Sequence, residues 1–415
     1  MRPVAVIVAI LLLVAGGPLA RAEDTCVDCH KELPEPLGPP VEGMKRDVHA
    51  KAGLSCADCH GGDPKDPDMS SMDAAKGFVG KPERARVPEF CGRCHADEGY
   101  MRRFNPRLPV DQLATYWTSV HGQRLRQGDT NVATCVSCHG VHGILPASDA
   151  TSPVYKMNVP ETCGRCHADA RYMAAYHIPT NQLAQYQRSV HGQTLLVERD
   201  VAAPACNDCH GNHGAYPPGA RSVAAVCGQC HAFNKDLFLA SPHHPAFDRL
   251  GLPECVTCHG NHLVMRTSDE MLGVGATAIC VSCHAPESAG YAAAEQMRLG
   301  IDRLKDAVSV AEGTLSRASA AGMEVSEAEA ALQSAREDLV KTRTQVHAFD
   351  AASLVKMADA GVKTATDAAH TGDEALVELR SRRWMALIPL AMIAVVGAVV
   401  YLKMRSLDEQ GPSSR

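Results

Sequence analysis

The sequence is poor in large aromatic side chains and has no excess of positive charge. Phe, Trp and Tyr make up 4% of its 415 residues, so a chain of this length has few large side chains with which to fill a core. The formal net charge is −6, which gives no indication of nucleic-acid binding. Such a chain needs another source of apolar bulk.

The sequence also has no cysteine outside one short pattern. Its 18 cysteines form pairs with two residues between the members, and a histidine directly follows each second cysteine. Disulfide scaffolds and zinc sites do not need that histidine, and a thioredoxin-like C-x-x-C is not repeated along a chain in this way. Repeated C-x-x-C-H instead predicts nine covalently attached haems c, in which both thiols bond the porphyrin and the histidine ligates the iron.

The predicted haem-binding residues are the two cysteines and the histidine of each pentapeptide. The thiols, in chain order from the first to the ninth motif, are Cys26, Cys29, Cys56, Cys59, Cys91, Cys94, Cys135, Cys138, Cys163, Cys166, Cys206, Cys209, Cys227, Cys230, Cys255, Cys258, Cys280 and Cys283. The proximal iron ligands are His30, His60, His95, His139, His167, His210, His231, His259 and His284. Haems would supply the missing apolar bulk, so the fold of residues 23–288 is predicted to depend on them.

Residues 23–288 contain an internal repeat. "CGRCHADEGYMRRFN" from Cys91 matches "CGRCHADARYMAAYH" from Cys163, and "YWTSVHGQ" matches "YQRSVHGQ" further along. Each repeat has a C-x-x-C-H, a lone histidine and then C-x-x-C-H-G-x-H. A shorter copy begins at Cys227 and a degenerate copy at Cys26. The pattern predicts four two-haem modules stacked along a line, followed by a ninth haem.

The trailing histidine of C-H-G-x-H cannot serve the haem of its own motif. His142 lies three residues after His139, and three residues are too few to pass around a porphyrin to its opposite face. We therefore expect His142, and likewise His213 and His262, to ligate a different haem and so to join neighbouring haems.

Spare histidines match the irons in number within residues 23–288. The candidate distal ligands are His49, His121, His142, His177, His191, His213, His243, His244, His262 and, further on, His347. His243 and His244 are adjacent, so if both bind iron they should serve different haems. The first repeat ends without a trailing histidine and the ninth motif has no spare histidine nearby, which leaves long-range donation and an open iron as alternatives. His347 is a candidate distal ligand of the ninth haem.

The two ends of the sequence predict export and a membrane anchor. Residues 1–22 have a basic start, an apolar stretch and an A-x-A site, which is typical of a secretory signal peptide. Trp384–Leu402 is uncharged, has basic flanks and predicts a transmembrane helix, followed by a cytoplasmic tail at 403–415. These features place the haems on the periplasmic face of the cytoplasmic (inner) membrane.

Residues 289–383 contain no cysteine and follow a seven-residue pattern. Ile301, Val308 and Leu315 recur at this interval, and Val325, Leu332, Leu339 and Val346 restart it, with Ser326 and Glu329 as a predicted capping box. This predicts two antiparallel helices and one or two more leading into the membrane. The predicted fold class is a mostly irregular and α-helical haem region with little regular secondary structure, then a helical bundle and one transmembrane helix.

The nine C-x-x-C-H motifs and their C-H-G-x-H variants resemble multihaem c-type cytochromes, in particular cytochrome c3-like proteins and periplasmic decahaem conduits. The resemblance implies a row of bis-histidine, low-potential haems and electron transfer in anaerobic respiration. It favours an electron-transfer protein, alone or as a subunit of a larger redox complex, between a quinol-linked donor and periplasmic or outer-membrane redox proteins. Membrane-anchored quinol-oxidising cytochromes are similar in role but have an N-terminal anchor. The alternative is a reductase of nitrite, hydroxylamine or tetrathionate at one open haem.

Overall fold

A computed structural model describes residues 24–219 and 222–408. The predicted signal peptide and the end of the predicted cytoplasmic tail lie outside these residues. Within the described residues every regular element is a helix and there is no strand. This confirms the predicted fold class, in which short helices and irregular segments precede a bundle of long helices.

The chain divides into two compact units. The N-terminal unit runs to Pro218 and also includes His262–Val264. Its α-helices are α1 (Thr25–His30), α2 (Pro39–Met44), α3 (Val48–Lys51), α4 (Cys56–His60), α5 (Val87–His95), α6 (Glu98–Met101), α7 (Gln112–Thr118), α8 (Val120–Arg126), α9 (Cys135–His139), α10 (Val159–His167), α11 (Ala170–Met173), α12 (Gln182–Arg188), α13 (Val190–Leu196) and α14 (Cys206–His210). None of these is longer than nine residues, so the unit has no long helical framework.

The C-terminal unit comprises Gly219–Asn261 and the chain from Met265 onward. Its α-helices are α15 (Val223–Cys227), α16 (Ala232–Ala240), α17 (His243–Leu250), α18 (Glu254–His259), α19 (Ala289–Ala320), α20 (Ser326–Gln345) and α21 (Ala351–Asp408). A 3-10 turn, Val346–Ala348, connects α20 to α21. The last three helices form the bundle.

The seven-residue pattern marks the core of this bundle, as predicted. Ile301, Leu304 and Leu315 on α19 are at most 1% exposed, and Leu354 on α21 is fully buried. A Cβ placed on Gly361 would lie only 2.8 Å from a methyl carbon of Leu304, so the small residue lets α19 and α21 approach closely. Burial of this apolar stripe is the main driving force for the bundle.

The start of α20 differs from its predicted form. Ser326 is the first helical residue and not the cap, and the carboxylate of Glu324 accepts the Ser326 N–H at 3.1 Å. The predicted capping box with Glu329 is therefore wrong, because the helix begins one residue too early for it. Beyond α20, a single helix leads without interruption into the apolar span.

Helix α21 is, within the described part of the chain, the one helix long and apolar enough to cross a membrane. Its most apolar window has a mean hydropathy of 2.5 and none of it is buried. Trp384 and Ile393 are 73% and 67% exposed. An uncharged helical surface of this size, left uncovered by the protein, fits a membrane anchor.

Candidate functional site

The second C-x-x-C-H motif of a repeat folds as one short helical turn. In α4 the Asp58 carboxylate accepts the backbone N–H of Ser55 at 2.6 Å, which stabilises the first turn. Ser137 and Asp208 do the same in α9 and α14, at 3.0 and 2.7 Å. Three-residue spacing on a helix places both cysteines of the motif on one face. The local sequence therefore presents both thiols and the histidine together.

A glycine ends each of these turns and redirects the chain. Gly140 has φ 79° and Gly211 has φ 82°, a backbone conformation that favours glycine. His142 itself has φ 51°, and a side chain on Gly43 would collide with the His142 carbonyl. The turn after the motif thus carries the trailing histidine away from the motif to which it is joined.

Seven motif histidines each face another histidine across a similar gap. In the N-terminal unit the facing pairs, with the distances between ring centroids, are His60 and His142 (5.9 Å), His95 and His49 (5.8 Å), His139 and His213 (6.1 Å), His167 and His121 (6.1 Å), and His210 and His262 (5.9 Å). In the C-terminal unit they are His259 and His347 (6.0 Å), and His284 and His243 (5.9 Å). The trailing histidines His142, His213 and His262 all face histidines of other motifs.

The spacing of these pairs fits two imidazoles on opposite sides of one iron. Metal–nitrogen bonds of about 2 Å on each side bring the ring centroids roughly 6 Å apart. The spacing stays between 5.8 and 6.1 Å while the angle between ring planes varies from 10° to 81°. Direct stacking would tie the distance to the angle, so the constant gap fits a spacer of fixed size between the rings.

Burial favours the neutral form of these imidazoles, which is the form that binds a metal. It lowers the pKa of His139, His167 and His259, and a neighbouring histidine lowers each further. The neutral ring keeps a lone pair on nitrogen for the iron. His49 and His60 hold their rings through Nδ1, at 2.9 Å from the Asp47 carboxylate and 2.8 Å from the Gly80 carbonyl. Such contacts leave the other nitrogen for a metal.

The lone histidines share a supporting residue that the sequence analysis missed. Each lies two positions after a buried serine or aspartate at the start of a short helix. For His49, His121, His191 and His243 these residues are Asp47, Ser119, Ser189 and Ser241, which are 2%, 0%, 1% and 4% exposed. Asp47 accepts the His49 N–H at 2.8 Å and Ser119 accepts the Gly122 N–H at 2.9 Å. These bonds cap the helix that presents the histidine.

The sequence carries a signal for this arrangement. The tripeptides D-V-H, S-V-H, S-V-H and S-P-H occur once in each repeat, in chain order. The spacing selects His243 as the equivalent of His49 and His121, and it excludes His244. The structure agrees, because His243 faces His284, whereas His244 packs edge-on against Phe238 with 6.0 Å between ring centroids.

His347 lies opposite a different motif from the one expected. It faces His259 of the eighth motif, and the ninth motif is faced by His243. The expectation relied on the ninth motif being next to the bundle in the chain. In the fold the start of α19 covers His284, since a side chain on Gly290 would collide with its imidazole, and the turn after α20 meets α16 and α18.

Two other candidate residues, His177 and His30, form no such pair among the described residues. His177 is exposed with φ 53°, and outside the candidate set His370 is exposed with a ring nitrogen 3.6 Å from Glu374. Among the described residues no ring contact joins His30 to another histidine. His191 lies in the first turn of α13, and His231 directly precedes α16.

Cysteines of successive motifs are neighbours within each compact unit. Inside three repeats the first cysteines are hydrogen-bonded to each other, in the pairs Cys91 and Cys135, Cys163 and Cys206, and Cys227 and Cys255. Between repeats the second cysteines interact, in the pairs Cys59 and Cys94, Cys138 and Cys166, and Cys258 and Cys283. The two motifs of each of these three repeats therefore lie side by side.

Paired thiols beside an imidazole, with a second imidazole across a metal-sized gap, define a c-type cytochrome. Residues 48–168 match the family model described as Cytochrome c3. The match confirms the resemblance predicted from the motifs, and the family implies covalently bound haem c. No curated protein and no solved structure gives a significant match to the chain.

Proposed function

We propose that the protein is a membrane-anchored electron-transfer cytochrome with nine haems c, one at each C-x-x-C-H motif. The observation that carries the proposal is the set of facing histidine pairs with one constant spacing. An iron with two histidine ligands has no free position for a substrate, so such haems transfer electrons and do not bind reactants. Cys and His of each motif hold the haem, and where a second histidine faces the motif it completes the coordination.

The contacts between cysteines support a continuous row of haems. Thioether bonds join a haem at its edge, so motifs whose cysteines touch bring porphyrin edges together. Hydrogen-bonded thiols of this kind join the third motif to the fourth, through Cys91 and Cys135, and the fifth to the sixth, through Cys163 and Cys206. Electrons then move by short steps between neighbouring irons.

The apolar part of α21 supports an inner-membrane location with the haems in the periplasm. Haem c is attached outside the cytoplasm, and the proposed signal peptide at 1–22 provides the export. The span Trp384–Leu402 contains neither histidine nor cysteine, so it anchors the protein and carries no haem. Anaerobic respiration is the setting in which such a cytochrome would work.

The length of the bundle favours a protein as the immediate donor to the last haems. From Ala351 to Trp384 helix α21 advances about 50 Å, at roughly 1.5 Å per residue. Residues 350–383 include no cysteine and no Phe, Trp or Tyr, so the segment offers electrons no intermediate site of these kinds. Because tunnelling weakens exponentially with distance, a quinol-linked redox protein fits this end of the row better than quinol within the bilayer. The acceptors are other periplasmic or outer-membrane redox proteins.

Replacing His121 by methionine tests the assignment of the facing pairs. Methionine ligation favours ferrous iron, so His121→Met should raise the midpoint potential of one haem, that of Cys163 and Cys166, and leave the fold intact. A spectroscopic redox titration measures this, with His177→Met at an exposed position as the control. Unchanged potentials in His121→Met would show that His121 does not bind iron.

One observation favours a second candidate function, reduction of nitrite, hydroxylamine or tetrathionate at an open haem. In the described chain no imidazole faces His30, which leaves the first iron without a histidine from this set. Low-temperature electron paramagnetic resonance separates the two functions. A high-spin ferric signal that changes when one of these compounds is added supports the reductase, and uniformly low-spin signals reject it.

A further inference from the structure

We infer that His347, in the turn between α20 and α21, is the distal ligand of the eighth haem and that the bundle thereby closes the end of the haem repeat. The inference rests on the proposed binding of haem at Cys255, Cys258 and His259. It gives the bundle a role in the redox centre in addition to its link with the membrane.

Trailing histidines follow one rule in the N-terminal unit. Each faces the second motif of the repeat before its own. His142 of the second repeat faces His60 of the first, and His213 of the third faces His139 of the second. His262 of the fourth repeat faces His210 of the third. By this rule the second motif of the fourth repeat, which is the eighth motif, requires a trailing histidine from a fifth repeat.

The chain has no trailing histidine to offer at that place. After the ninth motif the sequence reads "CHAPES" and α19 begins, without the G-x-H that follows the second motifs of the second, third and fourth repeats. Three lone histidines, His49, His121 and His243, cannot substitute, because each already faces another motif. His49 faces His95, His121 faces His167, and His243 faces His284 of the ninth motif. The eighth motif therefore needs a ligand from outside the repeat.

His347 occupies the position that this ligand would have. Its ring centroid lies 6.0 Å from that of His259, with 24° between the ring planes. Nδ1 lies 2.9 Å from the Thr344 carbonyl, so the Nδ1–H donates to that oxygen and the lone pair is on Nε2, the nitrogen available to iron. The side-chain amide nitrogen of Asn234 on α16 lies 3.2 Å from Nδ1 and 3.5 Å from Nε2 of the same ring.

The rest of the turn is built against the last two motifs. Phe349 has φ 51°, and its ring lies 3.8 Å, between centroids, from that of His243, which faces His284. Just before the turn, Arg343 donates two hydrogen bonds to the Asp269 carboxylate, at 2.8 and 2.7 Å. The turn between α20 and α21 therefore contacts the histidine of the eighth motif and the histidine that faces the ninth motif.

The arrangement solves the general problem of ending a repeat array. Each module completes its neighbour, so the terminal module needs a cap of different structure. Here the cap is the bundle, and the group that it supplies to the eighth haem is an imidazole. Coordination of the eighth iron is then complete only while the bundle is docked on its own unit.

Two substitutions in the full-length haem-loaded protein test the inference, with His370→Ala as the control on the same bundle. In His347→Ala we expect one more high-spin ferric haem than in the wild type in electron paramagnetic resonance, and added imidazole should return this additional haem to low spin. In His347→Met we expect the potential of one haem to rise. His370→Ala should match the wild type, because its ring is exposed and meets only Glu374.

The outcomes separate this inference from the proposed function. If the wild type carries nine haems and His347→Met leaves every midpoint potential unchanged, His347 is not a ligand and the inference is overturned. If His347→Ala does not mature, the titration of His347→Met alone decides, since methionine can still bind iron. Absence of haem from the wild type would instead overturn the proposed function.

Discussion

The haem-binding region and the helical bundle are held together in different ways. In the bundle, Leu304, Leu332 and Leu354 belong to one apolar core that extends along all three helices. In the described part of the N-terminal unit the apolar clusters are small, one around Leu195 and one around Leu125. The bundle can be stable through side-chain packing alone, whereas we expect the haem-binding region to depend on local caps and on haem.

The largest difference between the two regions should be seen when haem is withheld. A full-length chain exported from cells that cannot attach haem c should lose the structure of residues 24–288 and keep the helices of the bundle. Hydrogen exchange of backbone amides reads both regions in one sample. Equal protection of the two regions would show that haem is not what stabilises the first.

A cavity in the bundle should have the opposite effect, in that it should destabilise the bundle and leave the haem-binding region unchanged. Leu304 is fully buried, so Leu304→Ala should lower the free energy of unfolding of the bundle by about 2–5 kcal/mol. The haem spectrum should not change. Val310 on the same helix is 62% exposed, and Val310→Ala serves as the control with little expected effect. Chemical denaturation followed by helical circular dichroism measures both, and similar losses in the two variants would contradict a core at Leu304.

Two glycines in α19 should separate packing from haem binding. A side chain at Gly290 meets the imidazole of His284, whereas one at Gly313 meets nothing within 4 Å. Alanine favours a helix interior by about 1 kcal/mol over glycine, so Gly313→Ala should stabilise the bundle and leave the haems unchanged. Gly290→Ala should alter the potential or spin state of one haem, the ninth. Identical redox titrations for the two variants would contradict the contact with His284.

The smallest expected effect is on the pH dependence of the bundle. The guanidinium of Arg343 lowers the pKa of Asp269 in the folded protein. A lowered pKa contributes stability that is present above the ordinary aspartate value of about 3.9 and is lost as pH falls through the folded value. Asp269→Asn should cost on the order of 1 kcal/mol at neutral pH and make the loss in acid shallower. The test is to measure thermal unfolding of the wild type and of Asp269→Asn over a series of acidic pH values. If stability falls with pH at the same slope in both proteins, the pair of Asp269 and Arg343 does not contribute to the pH dependence.

The comparison also explains what could be predicted from the sequence. The heptad positions of α19, such as Ile301 and Val308, are local periodic signals, and the structure buries them as expected. The partner of His142 could not be read in this way, because His60 lies far away in the chain and only the stacking of repeats brings it close. The position of His347 was misjudged for the same reason, since the nearest motif in sequence is not the nearest in space. The S/D-x-H tripeptides were present and would have identified His243.

The intact mass of the exported, denatured protein tests the central claim most directly, because thioether-linked haem stays on the chain when the fold is lost. The account predicts the mass of the polypeptide plus nine haems. A polypeptide without added haem, or with haem on only some motifs, would contradict it.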